Sequence, residues 1–195
     1  MRASPRPDAA PRRASRWGVW LAALLALAAP VYADEFTVRA ARTHLVNEVH
    51  LLNASIDYQF SKRAMQALES GVPITVRLDI EVRRVRKYWT DKLVAQLEQR
   101  YALQYHALSN LYVLRNLNSD SSEVFRTLEA ALASVGVISD LPIIDDKLLE
   151  EDSEYEVGLQ TSLDIEALPS PLRPWAYVTP SWRHSSDWYS WSLER

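Results

Sequence analysis

The chain contains no cysteine, which excludes disulfide bonds and thiolate metal sites. It has only four glycines against ten prolines, and it offers no glycine-rich loop of the kind that holds phosphates. The four histidines are scattered, without the His-Glu-x-x-His spacing of a zinc enzyme. The sequence therefore predicts neither a metal site nor a cofactor.

The first 33 residues have the layout of a secretory signal peptide. A positive region contains Arg2, Arg6, Arg12, Arg13 and Arg16. An uncharged run over residues 17–33 follows and ends in Val31-Tyr32-Ala33, which offers the small residues that a signal peptidase reads. Because this run is close to the ~17-residue lower limit for spanning a bilayer, an uncleaved membrane anchor is the alternative. We expect residues 34–195 to form a single exported domain, periplasmic or secreted.

The charge of this domain restricts its partners. Residues 1–33 hold five arginines and one aspartate, so the rest of the chain has 17 basic and 24 acidic residues, a net charge of −7. An acidic exported domain is a poor binder of nucleic acid, and we therefore exclude that partner class.

The clearest structural pattern lies in residues 74–82, where apolar and polar side chains alternate without a fault. Ile74, Val76, Leu78, Ile80 and Val82 form the apolar set. The other face carries Thr75, Arg77, Asp79 and Glu81. Strict alternation with β-branched residues predicts a strand with one buried and one solvent-facing side. We expect it to be the central scaffold strand of the domain.

Similar alternation predicts further strands over residues 35–43, 52–60, 111–117 and 155–165. Two short helices are predicted, one capped by Ser61 and ended at Gly71, the other capped by Ser121 or Ser122 and ended at Gly136. The predicted fold is mainly β, at the α+β borderline. We expect an antiparallel β-sandwich or curled sheet of roughly six to eight strands with these helices at its edges.

Two further segments lack the clear alternation of these strands. Residues 92–99 fit a strand by alternation and a helix by their i, i+4 apolar spacing, so both remain open. Residues 168–174 contain three prolines and are predicted to cross between sheet edges in an extended form.

A basic and aromatic segment begins where the alternation of residues 74–82 fails. It comprises Arg83, Arg84, Arg86, Lys87, Tyr88 and Trp89, and it is the candidate interaction surface. In an exported protein it would meet an anionic membrane surface or a negatively charged protein partner. The alternative is that these cations pair with the acidic segment 145–156, which holds seven carboxylates.

The second candidate site is an aromatic platform near the C-terminus, formed by Trp175, Trp182, Trp188 and Trp191. These side chains fill the core or cover a sheet edge, stack against sugar rings, or lie at a membrane interface. Between them, His184, Ser185 and Asp187 supply the residue types of a hydrolase triad. Consecutive residues do not converge as a triad requires, and no strained Gly-x-Ser-x-Gly elbow is present. No catalytic residues are therefore predicted.

Several motifs together resemble an uncharacterised family of exported proteobacterial proteins, domain of unknown function 4390. They are the export signal, Ala67-Leu68-Glu69-Ser70-Gly71-Val72-Pro73, Arg84-x-Arg86 to Trp89, Tyr105-His106-Ala107-Leu108 before Tyr112, Leu168-Pro169-x-Pro171-Leu172-Arg173, and Trp182 with Ser186-x-Trp188. The resemblance spans the whole exported domain. It implies no activity and no functional residues, but it does imply a sensor kinase of the nitrogen-regulation type as a partner.

The sequence as a whole favours a non-catalytic exported protein that binds a protein partner or modulates an envelope process. The alternative is a glycan-binding module or envelope hydrolase that uses the C-terminal tryptophans.

Overall fold

The computed structural model describes residues 36–194, so the predicted signal peptide lies outside the described residues. Within this range the chain forms nine strands in two antiparallel sheets. The first sheet has the order β1-β2-β7 and the second the order β6-β5-β4-β3-β8-β9. The strands are β1 (Thr37–Val46), β2 (Val49–Asp57), β3 (Ile74–Arg84), β4 (Lys92–His106), β5 (Leu111–Asn116), β6 (Ser122–Phe125), β7 (Val137–Asp145), β8 (Tyr155–Leu163) and β9 (Tyr189–Ser192). The predicted class, mainly β and antiparallel, is confirmed.

Strand β3 is the interior strand that its sequence predicts. It pairs with β4 on one side and β8 on the other, and its whole apolar set is buried. The polar face is less exposed than alternation alone predicts, because Thr75 is buried and Arg77, Asp79 and Glu81 are partly covered. The strand is therefore scaffold on both faces.

One hydrophobic core joins the two sheets. Leu52 and Ile56 of β2 belong to the same buried cluster as Ile80 of β3 and Leu159 of β8. At the edge of this core, the Trp191 indole nitrogen on β9 donates to the Thr43 hydroxyl on β1 at 3.2 Å. Residues 36–194 thus carry a core built from both sheets.

The helices are α1 (Lys62–Glu69), α2 (Leu128–Val135) and α3 (Arg173–Val178). Ser61 caps α1 as predicted, accepting from the Ala64 amide at 3.2 Å, and Gly71 follows the helix at φ +84°. The predicted cap of the second helix is wrong: Thr127 caps α2, accepting from the Ala130 amide at 3.2 Å. The helix starts late because the residues after Ser121 pair with β5 as strand β6.

The third helix was not predicted. Pro174 lies in the first turn of α3, where the helix needs no amide donor, so the ring favours the helix start instead of preventing it. The prediction that residues 168–174 form an extended crossing is wrong for this reason. Short 3-10 helices, Ile165–Ala167 and Pro180–Trp182, flank α3.

Residues 92–99, which the sequence left open, are strand. They form the first half of β4, with Leu97 opposite Ile80 and Ala95 opposite Val82. The long ladder with β3 outweighs the helical propensity of Ala, Gln, Leu and Glu in this segment.

Burial of Tyr58 makes the stability of this core sensitive to alkaline pH. Its hydroxyl lies 3.3 Å from that of Thr161, and burial raises the pKa of Tyr58 far above its ordinary value near 10. As pH rises, the unfolded chain therefore loses the Tyr58 proton before the folded chain does. The contribution of Tyr58 to the free energy of unfolding is complete below pH ~10 and declines as pH rises above it. We expect wild-type protein to lose about 1 kcal/mol of unfolding free energy per pH unit through Tyr58 in that range.

Urea unfolding between pH 8 and pH 11.5 measures this effect. The Tyr58→Phe variant should show a shallower alkaline decline, whereas Tyr88→Phe, at an exposed position, should match the wild type. Equal slopes for Tyr58→Phe and wild type would contradict the assignment.

Candidate interaction surfaces

The first candidate surface is the loop that joins β3 to β4, here named the hairpin tip (residues 85–91). The alternation of β3 ends in a register shift between Val82 and Arg83, as its sequence indicates. The Val85 amide then donates to the Glu154 carbonyl at 2.9 Å, and the Arg86 amide donates to the Asp91 carboxylate at 3.0 Å. These two bonds hold both ends of the tip and leave residues 87–90 exposed.

The tip presents two large aromatic side chains to solvent. Tyr88 is 84% exposed and Trp89 is 79% exposed. Side chains of this size bury ~150–250 Å² when they are covered, so leaving both uncovered forgoes a large apolar contribution. Folding of the domain does not use these two residues.

The four cations of the predicted interaction surface have different partners. They are Arg83, Arg84, Arg86 and Lys87. Arg83 donates from Nε to Glu81 at 2.7 Å on the same strand, and Arg84 forms an ion pair with Glu150. The predicted pairing with the acidic segment therefore holds for Arg84. Within the described residues, Arg86 and Lys87 form no ion pair, and Arg86 Nε is buried without an acceptor. The unpaired positive charge is thus concentrated beside the two exposed aromatic rings.

Other exposed apolar side chains lie at the same end of the molecule. A cavity of about 150 Å³ is lined by Arg84, Lys92, Leu93, Leu148 and Glu150, with Val94 and Tyr155 completing it. Leu93 and Leu148 are both exposed there. This end therefore combines apolar and aromatic groups with charges of both signs.

The four tryptophans of the predicted aromatic platform do not form one exposed surface. Trp182 is 8% exposed and belongs to the core, while Trp191 is half-buried and bonded to β1. The Trp188 ring lies over Gly158 of β8 and covers the sheet there. Trp175, on α3, remains open to solvent. Among the described ring pairs, Trp191 contacts Tyr189 at a centroid distance of 6.0 Å, and no pair joins two of these tryptophans.

The His-Ser-Asp segment is held by structural contacts. The buried His184 ring stacks on Phe36 at 5.7 Å, and its Nε2 donates to the Ser181 carbonyl at 2.8 Å. The Ser186 hydroxyl accepts from the Thr161 amide at 3.1 Å. These bonds connect the segment to β8 and to the start of β1.

Sequence reasoning did not find a cleft of about 290 Å³ between the sheets. Its apolar wall includes Leu114 of β5 and Ile138 of β7, and its polar side includes Ser134 and Glu123, joined by a 3.2 Å hydrogen bond. Burial raises the pKa of Tyr101, which also lines the cleft. These residues come from consecutive elements, β4 to β7, but β7 belongs to a different sheet from β4–β6, so no local pattern could have predicted the cleft.

Within residues 36–194, no three or more His, Asp or Glu side chains gather as a metal site would require. None of the helices in this range has the length and apolarity needed to cross a bilayer.

The fold and its surfaces define a β-rich domain of two antiparallel sheets whose most exposed aromatic groups lie outside the core. The chain belongs to the family described as Domain of unknown function (DUF4390), whose model matches residues 33–192. The resemblance seen in the sequence motifs is thereby confirmed at the level of this family. Comparisons with curated proteins and with solved structures find no match.

Proposed function

We propose that this chain is an exported, non-catalytic binding protein that engages a protein partner in the cell envelope through the hairpin tip. The observation that carries the proposal is the exposure of Tyr88 and Trp89 beside Lys87, which forms no ion pair with the described residues. Tryptophan, tyrosine and arginine are the residues that most often dominate the energy of protein–protein interfaces.

The charges around the tip favour a protein over an anionic membrane. The acidic segment 145–156 is joined to the tip through the Val85 amide and the Arg84–Glu150 ion pair. Its seven carboxylates would be repelled by anionic headgroups. A protein surface with an apolar pocket, acidic on one side and basic on the other, fits both the cations of the tip and the carboxylates behind them.

Export rests on the arginine-rich start and the uncharged run at residues 17–33. The family match begins at residue 33, the last residue of that uncharged run. Among envelope proteins, the extracytoplasmic part of a membrane sensor kinase is the partner that we propose. His184 and Ser186 form hydrogen bonds that hold the fold together, which supports a function without catalysis.

The test places a photoreactive amino acid at Tyr88 in the full chain, expressed in its natural host. We expect a discrete adduct with one envelope protein, identified as a sensor kinase by mass spectrometry. Adding Trp89→Ala in the same background should reduce that adduct at least tenfold, because a central aromatic contact contributes ~2 kcal/mol or more.

The matched control carries the same group at Leu108, which is fully exposed at the opposite end of β4. No adduct with the same protein should form there. Equal adducts from both positions, or an adduct at Tyr88 that is insensitive to Trp89→Ala, would overturn the proposal. The melting temperature should change by less than ~2 °C in Trp89→Ala, since exposed substitutions rarely affect stability.

A further inference from the structure

The end of the molecule opposite the hairpin tip has its own exposed surface. Strand β3 starts beside the end of β8, with Val76 opposite Leu163. The eleventh and last residue of β3, Arg84, lies opposite Tyr155 next to the tip. Helix α1 precedes β3, and the 3-10 helix Ile165–Ala167 follows β8, so both lie near the start of β3. At roughly 3.3 Å per residue, this end lies on the order of 35 Å from the tip.

Helix α3 displays an apolar face at this end. Trp175 and Val178, one turn apart, are both 71% exposed, and Tyr177 between them is partly exposed. Ala176 is fully buried and fixes the orientation of the helix against the core. The exposed face is therefore a stable feature of a packed helix.

Four cations lie at the same end of the domain as this face. Lys62 and Arg63 begin α1, which contacts the 3-10 helix Pro180–Trp182, and the Ser61 hydroxyl donates to the Ser181 carbonyl at 2.7 Å. Arg173 donates from Nε to the Leu168 carbonyl at 2.7 Å, and Arg183 donates to the Tyr177 carbonyl. Within the described residues, no carboxylate lies within 4.0 Å of any of the four.

Two of the described acids at this end lie beside arginines. Asp57 is paired with Arg39, and Asp164 lies 3.7 Å from Arg100. Glu166, which accepts a hydrogen bond from Tyr177, and Asp187 remain against the four cations. Among the described residues named here, the four cations outnumber these two acids, whereas the tip adjoins the seven carboxylates of segment 145–156.

Phe36, the first described residue, lies at this same end. Phe36 packs edge-on against Tyr58 at 4.9 Å and Phe60 at 5.4 Å, and stacks on His184 at 5.7 Å. Phe60 directly precedes the cap of α1, and His184 closely follows the 3-10 helix Pro180–Trp182.

We propose that this end of the domain docks on an anionic membrane surface, with Trp175, Tyr177 and Val178 in the interfacial layer. Tryptophan and tyrosine prefer that layer, and lysine and arginine beside it bind anionic headgroups. Lys62, Arg63, Arg173 and Arg183 supply the positive charge. In this orientation the hairpin tip projects away from the bilayer, so the inference goes beyond the partner proposed above.

The absence of native cysteine allows a position-specific test on the full chain. Val178→Cys and Tyr88→Cys, each labelled with an environment-sensitive fluorophore, report the two ends in the same protein with the same leader. On vesicles of phosphatidylcholine with phosphatidylglycerol, we expect the label at 178 to shift to the blue and to be quenched by spin-labelled lipid. The label at 88 should keep the spectrum that it has in buffer.

Charge dependence is tested by Lys62→Gln with Arg63→Gln in the Val178→Cys background. Quenching at 178 should then require at least tenfold more phosphatidylglycerol, since each cation near an anionic surface contributes roughly a fivefold change in affinity. A label at 178 that stays in water, equal quenching at 88, or equal quenching on pure phosphatidylcholine would each overturn the proposal. Both labelled positions are exposed, so unchanged circular dichroism should confirm that the variants fold.

Discussion

Truncating Leu78 to alanine is expected to lower the free energy of unfolding by about 2–5 kcal/mol. Leu78 is fully buried at the middle of β3, opposite Gln99 of β4 and Thr161 of β8. Because both neighbouring strands are fixed by ladders along their length, the surroundings cannot collapse into the space left by the lost methyl groups. For a domain of this size, the melting temperature should fall by about 2–4 °C for each kcal/mol lost.

The matched control is the neighbouring Arg77→Ala. Arg77 lies on the other face of β3 and pairs with Asp79 at 3.0 Å, with much of its side chain in solvent. A pair of this kind contributes about 0–1 kcal/mol, so the two adjacent substitutions should differ severalfold in urea denaturation. Similar losses for both variants would show that the core does not depend on the apolar face of β3.

The scaffold could be predicted from sequence because its signals are local. The alternation that marks β3 and β8 and the cap-and-glycine pair around α1 depend on residues within a few positions of each other. Such patterns predict the structure correctly when the tertiary contacts favour the same secondary structure.

Local sequence patterns were misleading where contacts with residues distant in sequence determine the secondary structure. Residues 92–99 have a helical composition, and pairing with β3 makes them strand. Ser121 resembles a helix cap, but the residues that follow it extend the sheet beside β5. Pro174 marks a break in most contexts and here begins α3, because the first turn of a helix tolerates it.

The candidate surfaces were predictable to a similar degree. The register shift after Val82 marked the place where Tyr88 and Trp89 leave the sheet. Which tryptophans near the C-terminus would be buried was not predictable, because Trp182 packs into a core whose other members come from both sheets. The cations around α3 are spread over residues 62 to 183, so their common location depends on the topology.

The second large effect on stability is expected at Gly136, where the end of α2 meets the end of β2. The Ile56 amide donates to the Gly136 carbonyl at 2.8 Å, so the two backbones are in direct contact. A Cβ atom at position 136 would lie 2.4 Å from the Ile56 carbonyl oxygen and 3.0 Å from that of Leu132. Neither backbone oxygen can move away without breaking the bonds that hold β2 and α2.

We therefore expect Gly136→Ala to lower the free energy of unfolding by about 3 kcal/mol. Gly158→Ala is the matched control, because its added Cβ would meet ring carbons of Trp188 at 3.0 and 3.3 Å. The Trp188 ring is partly exposed and can shift, so this variant should lose about 1 kcal/mol. Urea denaturation of the two variants at one pH measures the difference. A smaller loss of unfolding free energy for Gly136→Ala than for Gly158→Ala would contradict the close backbone packing between α2 and β2. It would mean that these two backbones can move apart more easily than the Trp188 ring can shift.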